Sequence, residues 1–113
     1  MHIQIVNFGL KGISEEQYRE VCDEIAPAFA ELPGLLAKFW LADPVTNTYG
    51  GVYLWQDREA YEAYTLSSMF NSIGSNPAFG NVTSRDFGIL EAPSEVTRAF
   101  RQGNAGIVSM QPV

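Results

Sequence analysis

Lys38, Trp40, Tyr53, Trp55 and Tyr64 are the residues of this chain best suited to chemistry. Lys38 and Trp40 alternate, as do Tyr53 and Trp55, so each pair falls on one side of an extended strand. Indole and phenol rings make flat walls, and the lysine adds one cation. Such a group suits a flat aromatic or quinone-like molecule. Trp40, Tyr53 and Trp55 are the candidate walls, with Lys38 stabilising a phenolate or developing oxyanion. Tyr64 is the candidate for orienting the substrate or carrying a proton. The same residues also read as core, because aromatics at alternate strand positions usually fill a sheet. A lysine among them then needs a partner or an escape to solvent.

The rest of the inventory removes most other chemistries. The sole histidine, His2, stands at the chain start and reads as a surface or strand-edge residue, so no Ser-His-Asp arrangement is available. Gly9 to Gly12 is a turn too short for a phosphate loop or dinucleotide fingerprint. One cysteine, Cys22, gives neither an internal disulfide nor a multi-cysteine metal site, and its helical position reads as a small buried apolar residue. Asp43 and Asp57 read as turn and cap residues. The net charge is −6, and six of the thirteen acids lie between Glu15 and Glu31, which argues against nucleic-acid binding. No apolar run is long enough to span a membrane and no secretory leader is visible, so a cytoplasmic protein is expected. What remains open includes chemistry that leans on the substrate itself. A deprotonated, electron-rich phenol or hydroquinone can itself reduce dioxygen, so no cofactor or metal is expected.

The elements that must position these residues follow from periodicity. His2 to Phe8 alternates around Ile3, Ile5 and Val6 and reads as a strand. Ser14 opens a helix with a capping box to Gln17. Tyr18, Val21, Cys22, Ile25, Phe29 and Leu32 then form one buried stripe, and Pro27 predicts a kink or a shortened helix. Leu35 to Ala42 and Thr48 to Gln56 are strands joined by the Asp-Pro-Val-Thr-Asn turn. Asp57 caps a second helix with Ala60, Ala63, Tyr64, Ser67 and Asn71 on one face. Asn71 to Asn81 reads as a loop or broken turn, and Val82 to Glu91 as a fourth strand. The expected domain covers 1–99, with 100–113 as a C-terminal tail. The order β-α-β-β-α-β predicts an α+β, ferredoxin-like sandwich: an antiparallel sheet with two helices on one face.

If Asp43 pairs with Thr48, alternation collects Leu35, Ala37, Phe39, Leu41, Gly50, Val52 and Leu54 on one sheet face. The other receives Leu36, Lys38, Trp40, Tyr49, Gly51, Tyr53 and Trp55. Trp40 then lies opposite Gly51, where a missing side chain leaves room for a ring or ligand, Lys38 opposite Tyr53, and Leu36 opposite Trp55. Neither face is polar enough for water and the helices cover one, so the other is expected to meet a second copy. Periodicity alone does not say which face lines a pocket and which meets the partner.

The stretches PGLLAKFWL, the Asp43–Asn47 turn, GGVYLW and EAYEAY resemble the YdhR-type monooxygenases, as does NPAFGNVTSRDFGILEAPSEVTR from Asn76 to Arg98. The resemblance covers about residues 1 to 99. It implies a dimeric α/β barrel, in the superfamily of cofactor-independent oxygenases and their relatives. Related antibiotic-biosynthesis monooxygenases often carry a Trp just before the second helix and a His farther along it. Here Trp55 matches the Trp, while the later position is Tyr64, which removes an imidazole base or haem ligand. The reading is therefore a homodimeric, cofactor-free monooxygenase of a small aromatic substrate. Its alternatives are a non-catalytic small-molecule binding or sensing protein of the same fold, and a dimer whose aromatics are only core.

Overall fold

A computed structural model describes residues 1–100. Its elements are β1 (His2–Leu10), α1 (Glu15–Ala30), β2 (Leu35–Asp43), β3 (Thr48–Trp55), α2 (Arg58–Thr65), α3 (Ser68–Ser75), β4 (Phe79–Gly88) and α4 (Glu91–Val96). One antiparallel sheet has the order β2-β3-β1-β4. This is the α+β, ferredoxin-like arrangement, in which β1 and β3 are central and carry most of the core. The tail from residue 101 on lies outside the described residues.

Local chemistry sets each boundary. Ser14 Oγ accepts from Gln17 N while the Gln17 side chain accepts from Ser14 N, so the capping box opens α1. The helix continues through Pro27 to Ala30 instead of shortening there. Pro27 and Asp23 both lie on the exposed side, so water can take the Asp23 carbonyl that Pro27 leaves unpaired. Asp43 Oδ1 accepts from Val45 N in the β2–β3 turn, and Asn47 closes it at a positive φ of 50°. Asp57 caps α2 by accepting from Ala60 N.

Several expectations are corrected. The second helix does not run on to Asn71; Ser67 accepts from Phe70 N and caps a separate helix, α3, within the expected loop. The fourth strand starts at Phe79 and ends at Gly88, and Glu91–Val96 is a short helix. The α1 stripe is buried only at Tyr18 and Phe29, whereas Val21 and Ile25 are 43% and 38% exposed. They border an open cavity, so no side chain covers them. In β1 the residues facing the helices are His2, Gln4, Val6 and Phe8, and Ile3 and Ile5 take the opposite face. His2 is accordingly buried, not a surface residue.

The β2–β3 register pairs Asp43 with Thr48, Trp40 with Gly51 and Lys38 with Tyr53, as the alternation predicted. A bulge between Leu35 and Ala37 puts Leu35, rather than Leu36, opposite Trp55. The helices settle which face is interior. Phe29 of α1 packs on Trp40 and Tyr53, and Tyr64 of α2 packs on Tyr53 and Trp55. The mixed aromatic face therefore lies under the helices. The opposite face brings Ile3, Ile5, Phe39, Val52 and Phe87 together through the registers Ile5–Val52–Phe39 and Ile3–Phe87.

Candidate functional site

A cavity of about 260 Å³ opens between α1, α3 and the sheet. Phe8, Tyr18, Phe29, Trp40, Tyr53 and Phe79 give it aromatic walls, and Met69 and Ile73 of α3 close one side. Lys38 is the single basic side chain among its described lining residues. Cys22, Ile25 and Ala28 line it from α1.

Lys38 is held among three rings. Its Nζ lies 3.5 Å from the Phe29 centroid, 3.3 Å from that of Trp40 and 4.7 Å from that of Tyr53. Gly51 makes this possible, since a Cβ there would stand 2.8 Å from Lys38 Cε. The space opposite Trp40 is thus filled by the lysine stem. No carboxylate among the described residues forms an ion pair with Lys38. Burial lowers its pKa from 10.5 to about 7, and Cys22 opposes that weakly. Ring faces attract an ammonium by about 0.5–2 kcal/mol. Removing an ammonium from water costs several kcal/mol, so desolvation prevails.

Trp55 and Tyr64 stand behind this wall and do not line the cavity. Trp55 stacks on Tyr53 with ring planes 6° apart, and its Nε1 donates to Gln4 Oε1 at 3.0 Å. The Tyr53 and Tyr64 hydroxyls share a hydrogen bond of 3.0 Å. Burial pushes the Tyr64 pKa up to about 12, and burial with the Tyr64 contact raises Tyr53 further. Of the five residues singled out by sequence, Lys38, Trp40 and Tyr53 meet at the cavity. Tyr64 reaches it only through Tyr53.

Sequence reasoning did not single out Phe29, Tyr18, Phe79 or the α3 side chains as walls. Phe29 carried a signal, since it belongs to the α1 stripe; α3 had none once its segment read as a loop. Also missed was a polar cluster at the other end of β1. His2 Nε2 and Asp86 Oδ2 are 2.6 Å apart, and Tyr61 Oη donates to Asp86 Oδ1 at 2.9 Å. None of these three lines the cavity. They tie β1 to β4 and α2.

The family model described as "Putative mono-oxygenase ydhR" matches residues 3–100. The chain belongs to this ydhR family. No curated protein matches this ydhR-family chain. Among solved structures it is similar to SnoaB, a cofactor-independent oxygenase from Streptomyces nogalater, at 20% identity and a TM-score of 0.61 over 80% of this chain and 94% of that one. It is also similar to the heme-degrader MhuD from Mycobacterium tuberculosis with two hemes bound, at 17% identity and a TM-score of 0.64, covering 80% and 96%. A structure described as an antibiotic biosynthesis monooxygenase gives 16% identity and a TM-score of 0.63, covering 80% and 99%. At these identities the likeness establishes the fold.

Haem does not fit the residues of this ydhR-family site. The cavity has no histidine in its wall, and His2 is committed to Asp86 elsewhere. Tyr64 is buried and bonded to Tyr53. Cys22 and Met69 are the soft donors in the wall, and burial pushes the Cys22 thiol pKa up, away from the thiolate a metal prefers. Among the described residues no group of three His, Cys, Asp or Glu could hold a metal ion, and no helix is long and apolar enough to cross a membrane.

Proposed function

We propose that this protein is a cofactor-independent monooxygenase of small, electron-rich aromatic substrates of the phenol, hydroquinone or anthrone type. One observation carries the reading: a lysine with no carboxylate partner among the described residues stands against three rings in the wall of an aromatic-lined cavity, where burial lowers its pKa to about 7. Phe29, Trp40 and Tyr53 form the wall against which the substrate ring packs, and they exclude water there. Lys38 accepts the phenolic (or enolic) proton and the resulting ammonium pairs with the oxyanion. The electron-rich anion then reduces dioxygen. For an anthrone-type carbon, CH₂ plus O₂ gives C=O plus H₂O: one oxygen enters the product, and the other leaves as water with both hydrogens. Tyr64, hydrogen-bonded to Tyr53, holds that ring in position and can exchange a proton with its hydroxyl.

The reading extends to a homodimer. The sheet face away from the helices carries Ile3, Ile5, Phe39, Val52 and Phe87, with Phe39 and Phe87 39% and 42% exposed. A second copy covering that face removes this apolar surface from water. Metal-free protein tested with hydroquinones, anthrones and catechols in an oxygen electrode checks the reading. The expected result is uptake above autoxidation that falls about a hundredfold or more in Lys38→Met, the typical contribution of a general base. Tryptophan quenching by the same compounds without uptake would instead support a binding protein.

A further inference from the structure

Lys11 and Lys38 are the only lysines in the chain. Lys11 is exposed just after β1, whereas Lys38 is half-buried in the cavity wall with rings on three sides and no carboxylate partner among the described residues. An amine held this way can take a proton, and it can also attack carbon. We propose that Lys38 captures small aromatic aldehydes as imines inside the cavity. This goes beyond the oxygenase reading and needs no dioxygen.

The geometry supplies what the reaction requires. An apolar cavity of about 150 Å³ is enough to hold benzene, so the 260 Å³ here admits a single-ring aldehyde beside the amine. Phe29, Trp40 and Tyr53 offer faces for the aldehyde ring, and their contact with Nζ brings the carbonyl carbon to the nitrogen. The nitrogen adds to that carbon to give a carbinolamine. The C–O bond then breaks and the oxygen leaves as water with both amine protons, so a C=N bond remains. No oxidant or reductant enters the step. Apolar walls slow the return of water and so favour the imine over hydrolysis. Burial also keeps much of the Lys38 amine unprotonated at neutral pH, as nucleophilic lysines require.

The test treats the full chain with benzaldehyde and sodium cyanoborohydride at pH 7 under argon, followed by peptide mapping of Lys38, Lys11 and the amino terminus. Cyanoborohydride reduces the imine to a stable secondary amine. Lys38 is expected to react about tenfold or more faster than Lys11 in the folded chain, and at an equal rate in urea. Glyceraldehyde, which is polar, is expected to show no preference for Lys38. A Lys38 rate in the folded chain equal to or below that of Lys11 overturns the proposal, and an equal Lys38 preference with glyceraldehyde overturns its aromatic specificity. Labelling needs no oxygen, so labelling under argon together with no uptake in the oxygen electrode counts against the oxygenase reading alone, and uptake without labelling counts against this one alone.

Discussion

Trp55 Nε1 donates to Gln4 Oε1 at 3.0 Å, and both side chains are fully buried between β1, β3 and the helices. Gln4 Nε2 donates in turn to Ser84 Oγ at 3.0 Å, so the chain of bonds crosses from β3 through β1 to β4. The indole is committed to the sheet and holds Tyr53, which stacks on it, against the cavity.

Trp55→Phe is therefore expected to act on stability before ligand affinity. It leaves the Gln4 carbonyl unsatisfied, which costs about 1–3 kcal/mol. In a domain of this size each kcal/mol moves Tm by roughly 4–8 °C. Thermal unfolding with and without a bound phenol checks this. An unchanged Tm with lost binding would place the indole in the site instead.

Two adjacent glycines should respond in opposite ways. A Cβ at Gly50, where φ is 138°, would lie 1.8 Å from the Val6 carbonyl oxygen, so Gly50→Ala forces backbone apart and should not fold. At Gly51 the nearest atom is Lys38 Cε, toward the end of a side chain, at 2.8 Å, with the Phe39 carbonyl oxygen at 3.1 Å. Gly51→Ala should fold with a lowered Tm and push the amine off its rings. Its oxygen uptake and its Lys38 labelling should both fall, as mass mapping and an oxygen electrode can show.

Lys38 also gives stability a pH dependence with a definite sign. Its folded pKa, about 7, lies below the unfolded value of 10.5, so the unfolded chain binds the extra proton between the two. Stability then rises with pH across that window and is lowest, with the amine charged in both states, below 7. Wild-type Tm should climb relative to Lys38→Met from pH 7 toward pH 10. Parallel Tm curves would show that the amine is not desolvated.

Asp86 acts with the same sign in a more acidic window. Hydrogen bonds from His2 and Tyr61 hold its carboxyl below the usual 3.8, so its contribution is fully present above that pH and is lost as pH falls through the lower folded value. Acid unfolding of wild type and Asp86→Asn should converge at low pH and separate above about pH 4. Equal curves throughout would mean that the cluster does not brace β1 to β4.

The strand order, the β2–β3 turn and the Lys38–Tyr53 and Trp40–Gly51 pairings were legible because alternation and Asp-Pro-Val-Thr-Asn turn chemistry are local. The bulge at Leu36 was not, because it answers to the Gly34 turn, where Gln56 N donates to the Gly34 carbonyl, and to no periodic signal. In β1 the alternation around Ile3, Ile5 and Val6 did not say which face is interior. The sheet buries the face of Gln4, which finds two partners, Trp55 and Ser84, on other strands. Lys38 and the rings on β2 and β3 share a strand face, so their meeting could be read. Phe29 and α3 complete the cavity from elsewhere in the chain, and only the fold brings them there.

The most direct test of the central claim follows the oxygen atoms. Metal-free protein would turn over the best substrate of the panel under ¹⁸O₂, with the product analysed by mass spectrometry for wild type and Lys38→Met. The account predicts one ¹⁸O atom in each product molecule, the second in water, and a much slower reaction in the variant. Product without ¹⁸O, or incorporation at an undiminished rate in Lys38→Met, would contradict it.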